Sequence, residues 1–484
     1  MSRPAAPADR LFPFMPHTLG NCPDASLPVD SRLVCCSNPA CMTIPRVVSD
    51  AYRTIWIQVG RSLGRNSRGV GSALPGTCIW RVLVKKMTLA RSAALAAVMS
   101  LALSGQTRAA TPWDLKALGQ APKVYEAQTR EPGVRALYFE SVPYKGKPTR
   151  VFAYYGAPAG KKLPAMVLVH GGGGTAFAEW VRVWNRRGYA AIAMDTCGYE
   201  PDKADDTNRW NPPKKRQAFG GPEGWDASFN TTGELVTDQW TYHAVAAVIL
   251  AHSLIRSFPE VDPKRVGVTG ISWGGYLTCI VSGVDSRFRF AVPVYGCGFL
   301  GEDSGWVKDF KRIGPEKAEK WLTLWDPSVY LPNAKMAMLW VSGTNDSAYP
   351  LGSLRKSYDL PKGPRTLTLR LRMPHSHPDG ALPEEIAAFA DAILKRGVPL
   401  PRVVNTSAEM VEFKSARPVV KAELNFTKDE GPWPGRKWES ILAQIDRKGH
   451  RASAQPPVGA TTWYFNLFDA QGLVVSSECM SSNR

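Results

Sequence analysis

The sequence predicts an α/β architecture, a mostly parallel sheet with helices on both faces, followed by a small all-β region. Three observations predict it. From residue 135 to about 400, short apolar runs alternate with stretches of helical period, the pattern of βα units whose strands are buried on both faces. One unit contains Val266-Gly-Val-Thr-Gly-Ile-Ser-Trp-Gly-Gly-Tyr276, where a serine lies between an apparent strand and an apparent helix with a glycine two residues to either side. After Pro399-Leu-Pro-Arg-Val403 the helical period disappears and only period-two runs remain.

A chain of 484 residues is long enough for more than one folded unit. Residues 1–86 show no sustained period. They hold five of the nine cysteines, with no CxxC pair and only His17 as a histidine, so no metal site is expected. Met87-Thr-Leu-Ala-Arg91 is a short basic segment, Ala93–Ser104 an apolar one, and Thr107-Arg-Ala-Ala110 offers small residues for cleavage. This is the make-up of a secretory signal peptide over 87–110. It implies a secreted or periplasmic protein, with 1–86 an over-extended or disordered N-terminus. The apolar run is too short for stable membrane insertion. Half of the net charge of +18 belongs to residues 1–110, and no long Lys/Arg run follows, so no nucleic-acid partner is expected. Cys197, Cys279, Cys297 and Cys479 are sparse and widely spaced, as buried apolar residues are, rather than a disulfide framework. No marker of oligomeric state stands out.

Ala136–Val142 and Thr149–Gly156 read as an antiparallel pair around Tyr144-Lys-Gly-Lys147. Ala165–His170 and Tyr189–Met194 are buried strands, with a helix over Ala176–Arg187 that Gly188 closes. Val236–Ser257 is a long helix. Phe290–Tyr295, Met336–Ser342 and Thr366–Leu371 are further strands, and Glu384–Arg396 is the last helix. Two polar, tryptophan-bearing insertions, Cys197–Glu234 and Gly301–Pro332, follow strand ends, where α/β sheets bind ligands. Of their tryptophans, Trp210 and Trp225 are candidates for substrate contact, against the plainer role of covering the sheet top. Residues 401–484 contain four strand-like runs and are expected to form an accessory β-sandwich beside a catalytic domain over 111–400.

The Gly270-Ile-Ser-Trp-Gly274 segment has the spacing of a nucleophile elbow, in which glycines allow a sharp strand-to-helix turn that exposes the serine. A serine needs a base to take its proton, and the base needs a carboxylate to fix its tautomer. Leu339-Trp-Val-Ser-Gly-Thr-Asn-Asp346 runs from a strand into a carboxylate. Leu369-Arg-Leu-Arg-Met-Pro-His375-Ser-His377 runs from the next strand into two histidines. His375 leaves the strand directly and is the favoured base, with His377 the alternative. The glycines of His170-Gly171-Gly172-Gly173-Gly174 let backbone amides approach a developing negative charge. Gly171 or Gly172, with the Trp273 amide after the serine, are the candidate oxyanion donors. His170 is expected to brace the loop.

Gly270-Ile-Ser-Trp-Gly-Gly-Tyr276, Gly343-Thr-Asn-Asp346 and the late histidine loop resemble the α/β-hydrolase superfamily. Within it, they resemble the prolyl oligopeptidase, dienelactone hydrolase and acetyl xylan esterase group. Trp273 stands where the peptidases usually carry Tyr, no upstream β-propeller pattern is present, and the Gln that follows the nucleophile in cephalosporin-C-deacetylase-type esterases is missing. The resemblance implies an α/β-hydrolase fold and a serine hydrolase with Ser272 as nucleophile and Asp346 orienting the base. Its substrate would be a small-molecule or carbohydrate ester, and no metal or organic cofactor is implied. The alternatives are a prolyl-oligopeptidase-like serine peptidase and a non-catalytic carbohydrate-binding protein on the same scaffold.

Overall fold

Short Val- and Ala-rich runs set the order of the fold. The computed structural model describes residues 111–482, except 130 and 203–207. The segments 1–86 and 87–110, and with them the expected signal peptide, lie outside the described residues. After a short helix α1 (Leu115–Leu118) come β1 (Val124–Glu126), β2 (Arg135–Tyr144), β3 (Lys147–Gly156) and β4 (Leu163–Val169). Helix α2 (Ala178–Arg186) leads to β5 (Ala190–Met194). Gly188, at φ 78°, lets the chain reverse behind α2, as the sequence predicts. The first insertion contains the antiparallel pair β6 (Tyr199–Pro201) and β7 (Lys214–Arg216), and α3 (Trp240–Ile255) follows it.

The core of the sheet continues with β8 (Val261–Ile271), α4 (Trp273–Val284) and β9 (Phe290–Val294). The second insertion folds into α5 (Val307–Ile313) and α6 (Pro315–Trp325). After it come β10 (Ala337–Gly343), α7 (Leu351–Tyr358), β11 (Arg365–Arg370), α8 (His377–Ala381) and α9 (Glu384–Leu394). Strands β5 and β9 are buried at every residue and β4 and β10 at all but the first, because helices cover both faces and no side chain can turn to water. Helix α3 is buried at nearly every position, which explains its lack of a polar stripe. No helix among the described residues is long and apolar enough to cross a membrane.

The strand order is β1-β2-β3-β5-β4-β8-β9-β10-β11. β1 to β3 and the β3–β5 pairing are antiparallel, and the pairings from β5 through β4, β8, β9 and β10 to β11 are parallel. All these parallel strands end at one edge of the sheet, where the loops after β4, β8, β10 and β11 meet.

The C-terminal antiparallel layers are present. They comprise β12 (Arg402–Thr406), β13 (Met410–Lys414), β14 (Val419–Thr427), β15 (Glu439–Leu442), β16 (Gln444–Asp446), β17 (Arg451–Ser453), β18 (Thr462–Asp469), β19 (Val474–Ser476) and β20 (Met480–Ser481). One layer is the four-stranded sheet β12-β13-β17-β16. The other does not stand apart: β19 pairs antiparallel with β11, and the large sheet continues through β18, β14 and β15. Between the layers lies a second apolar core that includes Phe413, Leu424, Trp463 and Phe465. Trp438, Tyr464 and Val475 join the main core instead. Sequence periodicity marked β14, β18 and β19 and predicted one strand across 438–445. It passed over β12, β13 and β17, whose three to five residues are too few to establish a period.

Candidate active site

Ser272 sits between β8 and α4 with φ 58° and ψ −119°, a conformation L-residues rarely adopt. Two hydrogen bonds hold it there. Its N–H donates to the Val294 carbonyl at 2.9 Å, and its own carbonyl accepts from the Tyr276 N–H at 2.9 Å. The flanking glycines are required by close approach. A Cβ on Gly270 would run into the Gly274 carbonyl, one on Gly274 into the Val169 and His170 carbonyls, and one on Gly275 into Val294 and Gly296. Helix α4 can therefore start directly against β4 and β9 only with glycine at these positions. Its residues are all buried, while Ser272 itself keeps partial access to solvent.

Asp346 lies three residues past β10 and is 2% exposed. Its Oδ1 accepts the Ala348 N–H at 2.9 Å and the Tyr349 N–H at 2.7 Å, and its Oδ2 faces His375 Nδ1 at 2.7 Å. His375 Nε2 lies 2.9 Å from Ser272 Oγ. With the imidazole proton on Nδ1, donated to the carboxylate, Nε2 is free to accept from the serine hydroxyl. The structure thus brings Ser272, His375 and Asp346 into one hydrogen-bonded chain.

The two loops are tied together and to the C-terminal region. Arg372, at φ 50°, turns the chain out of β11 and donates its N–H to Thr344 Oγ1 at 3.0 Å. Asn345, next to Asp346, donates its amide to the Pro434 carbonyl at 3.0 Å and the Arg436 carbonyl at 2.7 Å. Arg372 Nη1 donates to the Trp438 carbonyl at 2.9 Å.

His377 is not part of this chain. Its Nε2 accepts the Gly171 N–H at 3.0 Å, and its ring meets Phe177 edge-on at 4.8 Å. Desolvation, reinforced by the neighbouring His170 and His375, pulls its pKa down to about 3. His170 is fully enclosed, and burial lowers its pKa to about 4. Its Nδ1 donates to the Gly171 carbonyl at 2.8 Å, and its Nε2 accepts the Thr196 N–H at 3.0 Å, so it braces the loop. Beneath the loop, Asp195 accepts from Thr175 Oγ1 and from the N–H groups of Cys197 and Tyr199. Burial pushes its pKa up to about 6 against those donors. Because the Gly171 N–H is engaged by His377, it is not free to serve an oxyanion. Gly172 packs beside the Trp273 ring. Among the described residues, the amides of Gly172 and Trp273 donate to no protein acceptor.

The tryptophans divide into two groups. Trp321 and Trp325 are core. Trp306 is half-buried and packs on Trp273 at 4.5 Å and on Tyr349 at 5.0 Å. Trp225 is half-buried and stands edge-on to His170 at 6.1 Å. Trp210 sits one layer out, on Phe177 at 5.6 Å and Trp180 at 6.3 Å. Cys197, Cys279, Cys297 and Cys479 are free and buried.

Tyr295 was not among the sequence candidates. It directly follows β9 at φ 61°, stacks on the His375 ring at 4.5 Å, and donates its hydroxyl to the Pro374 carbonyl at 2.6 Å. It therefore holds both the imidazole face and the peptide just before it. A strand-end tyrosine carries no motif, and only the fold shows the contact. Tyr295→Phe keeps the ring and loses the pin. A net hydrogen bond of about 1 kcal/mol predicts a fall in kcat of about fivefold with little change in KM. Steady-state kinetics on a soluble ester checks this, and an unchanged kcat would show that the pin does not shape the base.

A parallel sheet with β4 and β5 exchanged beside β8, carrying a strained serine at the following strand-to-helix turn, has the α/β-hydrolase fold. A family model for acetyl xylan esterase (AXE1) matches residues 114–312, a span that includes the glycine loop and the elbow and ends before Asp346 and His375. Among solved structures, the chain is similar to an acetyl xylan esterase from Paenibacillus sp. R4, at 22% identity and a TM-score of 0.46, over 58% of this chain and 92% of that one. It is also similar to the Pyrococcus horikoshii acylaminoacyl peptidase, at 19% identity and a TM-score of 0.38, over 55% of this chain and 40% of that one. An uncharacterized peptidase, YuxL, of Bacillus subtilis (strain 168) is 30% identical over 129 residues. That match spans 25% of this chain and 20% of the relative's length.

Proposed function

We propose that the protein is a serine hydrolase that cleaves carboxylic esters, small-acyl or carbohydrate-linked, through an acyl-enzyme on Ser272. The observation that carries this reading is the chain of hydrogen bonds from Ser272 Oγ through His375 to Asp346, at 2.9 and 2.7 Å. In this reading His375 Nε2 takes the serine proton as Oγ attacks the ester carbonyl, and Asp346 stabilises the imidazolium. The amides of Gly172 and Trp273 hold the negative charge that develops on the carbonyl oxygen. His375 returns its proton to the leaving alkoxide. Water, deprotonated by the same nitrogen, then attacks the acyl carbon, the bond to Ser272 Oγ breaks as His375 returns the proton to that oxygen, and the acid leaves. Trp225 and Trp306 would flank the bound ester.

The catalytic unit is placed at 111–400, with 401–484 as an accessory region and 87–110 as a leader removed on export to the periplasm or beyond. A prolyl-oligopeptidase-like peptidase would use the same groups, and the relative named a peptidase is the observation in its favour. Chromogenic esters of increasing acyl length and acetylated xylo-oligosaccharides, assayed beside aminoacyl anilides, separate the two. We expect short-acyl esters to be hydrolysed fastest. Faster turnover of the anilides would make it a peptidase, and no turnover with no labelling by a fluorophosphonate would leave only a binding role.

A further inference from the structure

We propose that His377 and His170 form a two-histidine clamp on Gly171 that presents the Gly172 amide to the oxyanion, which makes His377 a positioning residue of the reaction and not its base. The proposal rests on the serine-hydrolase reading above. Gly171 is gripped from both sides: its N–H donates to His377 Nε2 at 3.0 Å, and its carbonyl accepts from His170 Nδ1 at 2.8 Å. The carbonyl of Gly171 belongs to the same rigid peptide plane as the N–H of Gly172. Fixing that carbonyl therefore fixes the direction of the next amide, while the His377 contact stops the preceding peptide from rotating.

The surroundings support the clamp. A Cβ on Gly174 would lie 3.0 Å from both His170 Nδ1 and His377 Nε2, so the two nitrogens converge on one turn of the loop. A Cβ on Gly171 would lie 2.9 Å from the Ser272 Cβ, so the clamped residue is also a neighbour of the nucleophile. Both histidines must be neutral and carry the proton on Nδ1. His170 needs an Nδ1–H for the Gly171 carbonyl and a bare Nε2 for the Thr196 N–H, and His377 needs a bare Nε2 for the Gly171 N–H. The charged groups nearby are Lys214, whose ammonium donates to the Gly173 and Gly174 carbonyls, and Asp195, 3.8 Å from His170. The lysine opposes a second positive charge at this place.

The test compares His377→Ala with His377→Gln, whose amide oxygen can take over as the acceptor, on a soluble short-acyl ester. Losing a whole oxyanion donor costs about 10²–10³ in kcat, so loosening one predicts a fall of about 10- to 100-fold for H377A. KM is expected to change little, and H377Q to recover a substantial part of the loss. A trifluoromethyl ketone, whose hemiketal anion occupies the oxyanion site, should lose affinity for H377A in step with kcat. A merely structural role would lower the melting temperature without moving the ketone affinity selectively. Unchanged kcat in H377A, or an equal loss in H377Q, overturns the clamp. Full activity in Ser272→Ala would instead overturn the hydrolase reading on which it rests.

Discussion

Asp346→Asn is expected to lower kcat by about 10⁴ while leaving the fold and KM nearly intact. The geometry dictates how the substituted amide must sit. One carboxylate oxygen receives two backbone N–H groups, from Ala348 and Tyr349. An NH₂ group there would face two donors, so the amide oxygen must stay in that position and the NH₂ must point at His375. Now donating to Nδ1, it forces the imidazole proton onto Nε2, where it faces the Ser272 hydroxyl. The base then has no lone pair for the serine proton, and the imidazolium loses its counter-charge. Turnover of a chromogenic ester, with a thermal melt to confirm folding, checks the result. A kcat near that of the unsubstituted protein would place the acid elsewhere. The acidic residues next to test would be Asp303 and Glu302 in the second insertion, although Glu302 is paired with Lys356.

The sequence made the elbow legible because its constraints are local. Strand, turn and helix lie within eleven residues, and the clash of any Cβ at Gly270 or Gly274 with neighbouring carbonyls leaves glycine as the only choice. The acid and base loops were legible because each follows an apolar strand and the chain order of the partners is constrained. The choice between His375 and His377 was not settled by spacing. It depends on a turn at Arg372 with positive φ, which no residue type announces, and on a Gly171 amide 206 positions away in sequence. The same holds for Tyr295. Nor could period-two runs show which edge a C-terminal strand would join. The single β11–β19 pairing, Leu367 opposite Ser476, unites residues more than a hundred positions apart. In the second insertion the sequence left the tryptophans between substrate contact and covering the sheet top, and Trp321 and Trp325 are core. An aromatic's burial depends on what folds over it.

A chain ending at residue 401 is expected to be insoluble or to leave Ser272 unlabelled by a fluorophosphonate. A detachable module would leave activity on soluble esters untouched, but the contacts across β11 argue otherwise. The Leu369 N–H donates to Ser476 Oγ at 2.8 Å, its carbonyl accepts from Asn466 Nδ2 at 3.2 Å, and Thr368 Oγ1 donates to the Val474 carbonyl at 2.7 Å. Glu385 is fully buried, with its carboxylate shared between Arg370, at 2.7 Å, and the Val474 N–H, at 2.8 Å. Truncation opens that carboxylate and strips Trp438, Tyr464, Leu473 and Val475 from the main core. It leaves β11, an interior strand, as a bare apolar edge prone to pair with another chain. The catalytic loops would suffer first, since Asn345 and Arg372 hold to carbonyls of residues 434–438 and His375 lies five residues beyond β11. Expression of the truncated chain, with solubility, thermal melt and Ser272 labelling measured together, decides the matter. A soluble, fully labelled protein that had lost only its binding to insoluble polysaccharide would make residues 401–484 a targeting module despite the shared sheet.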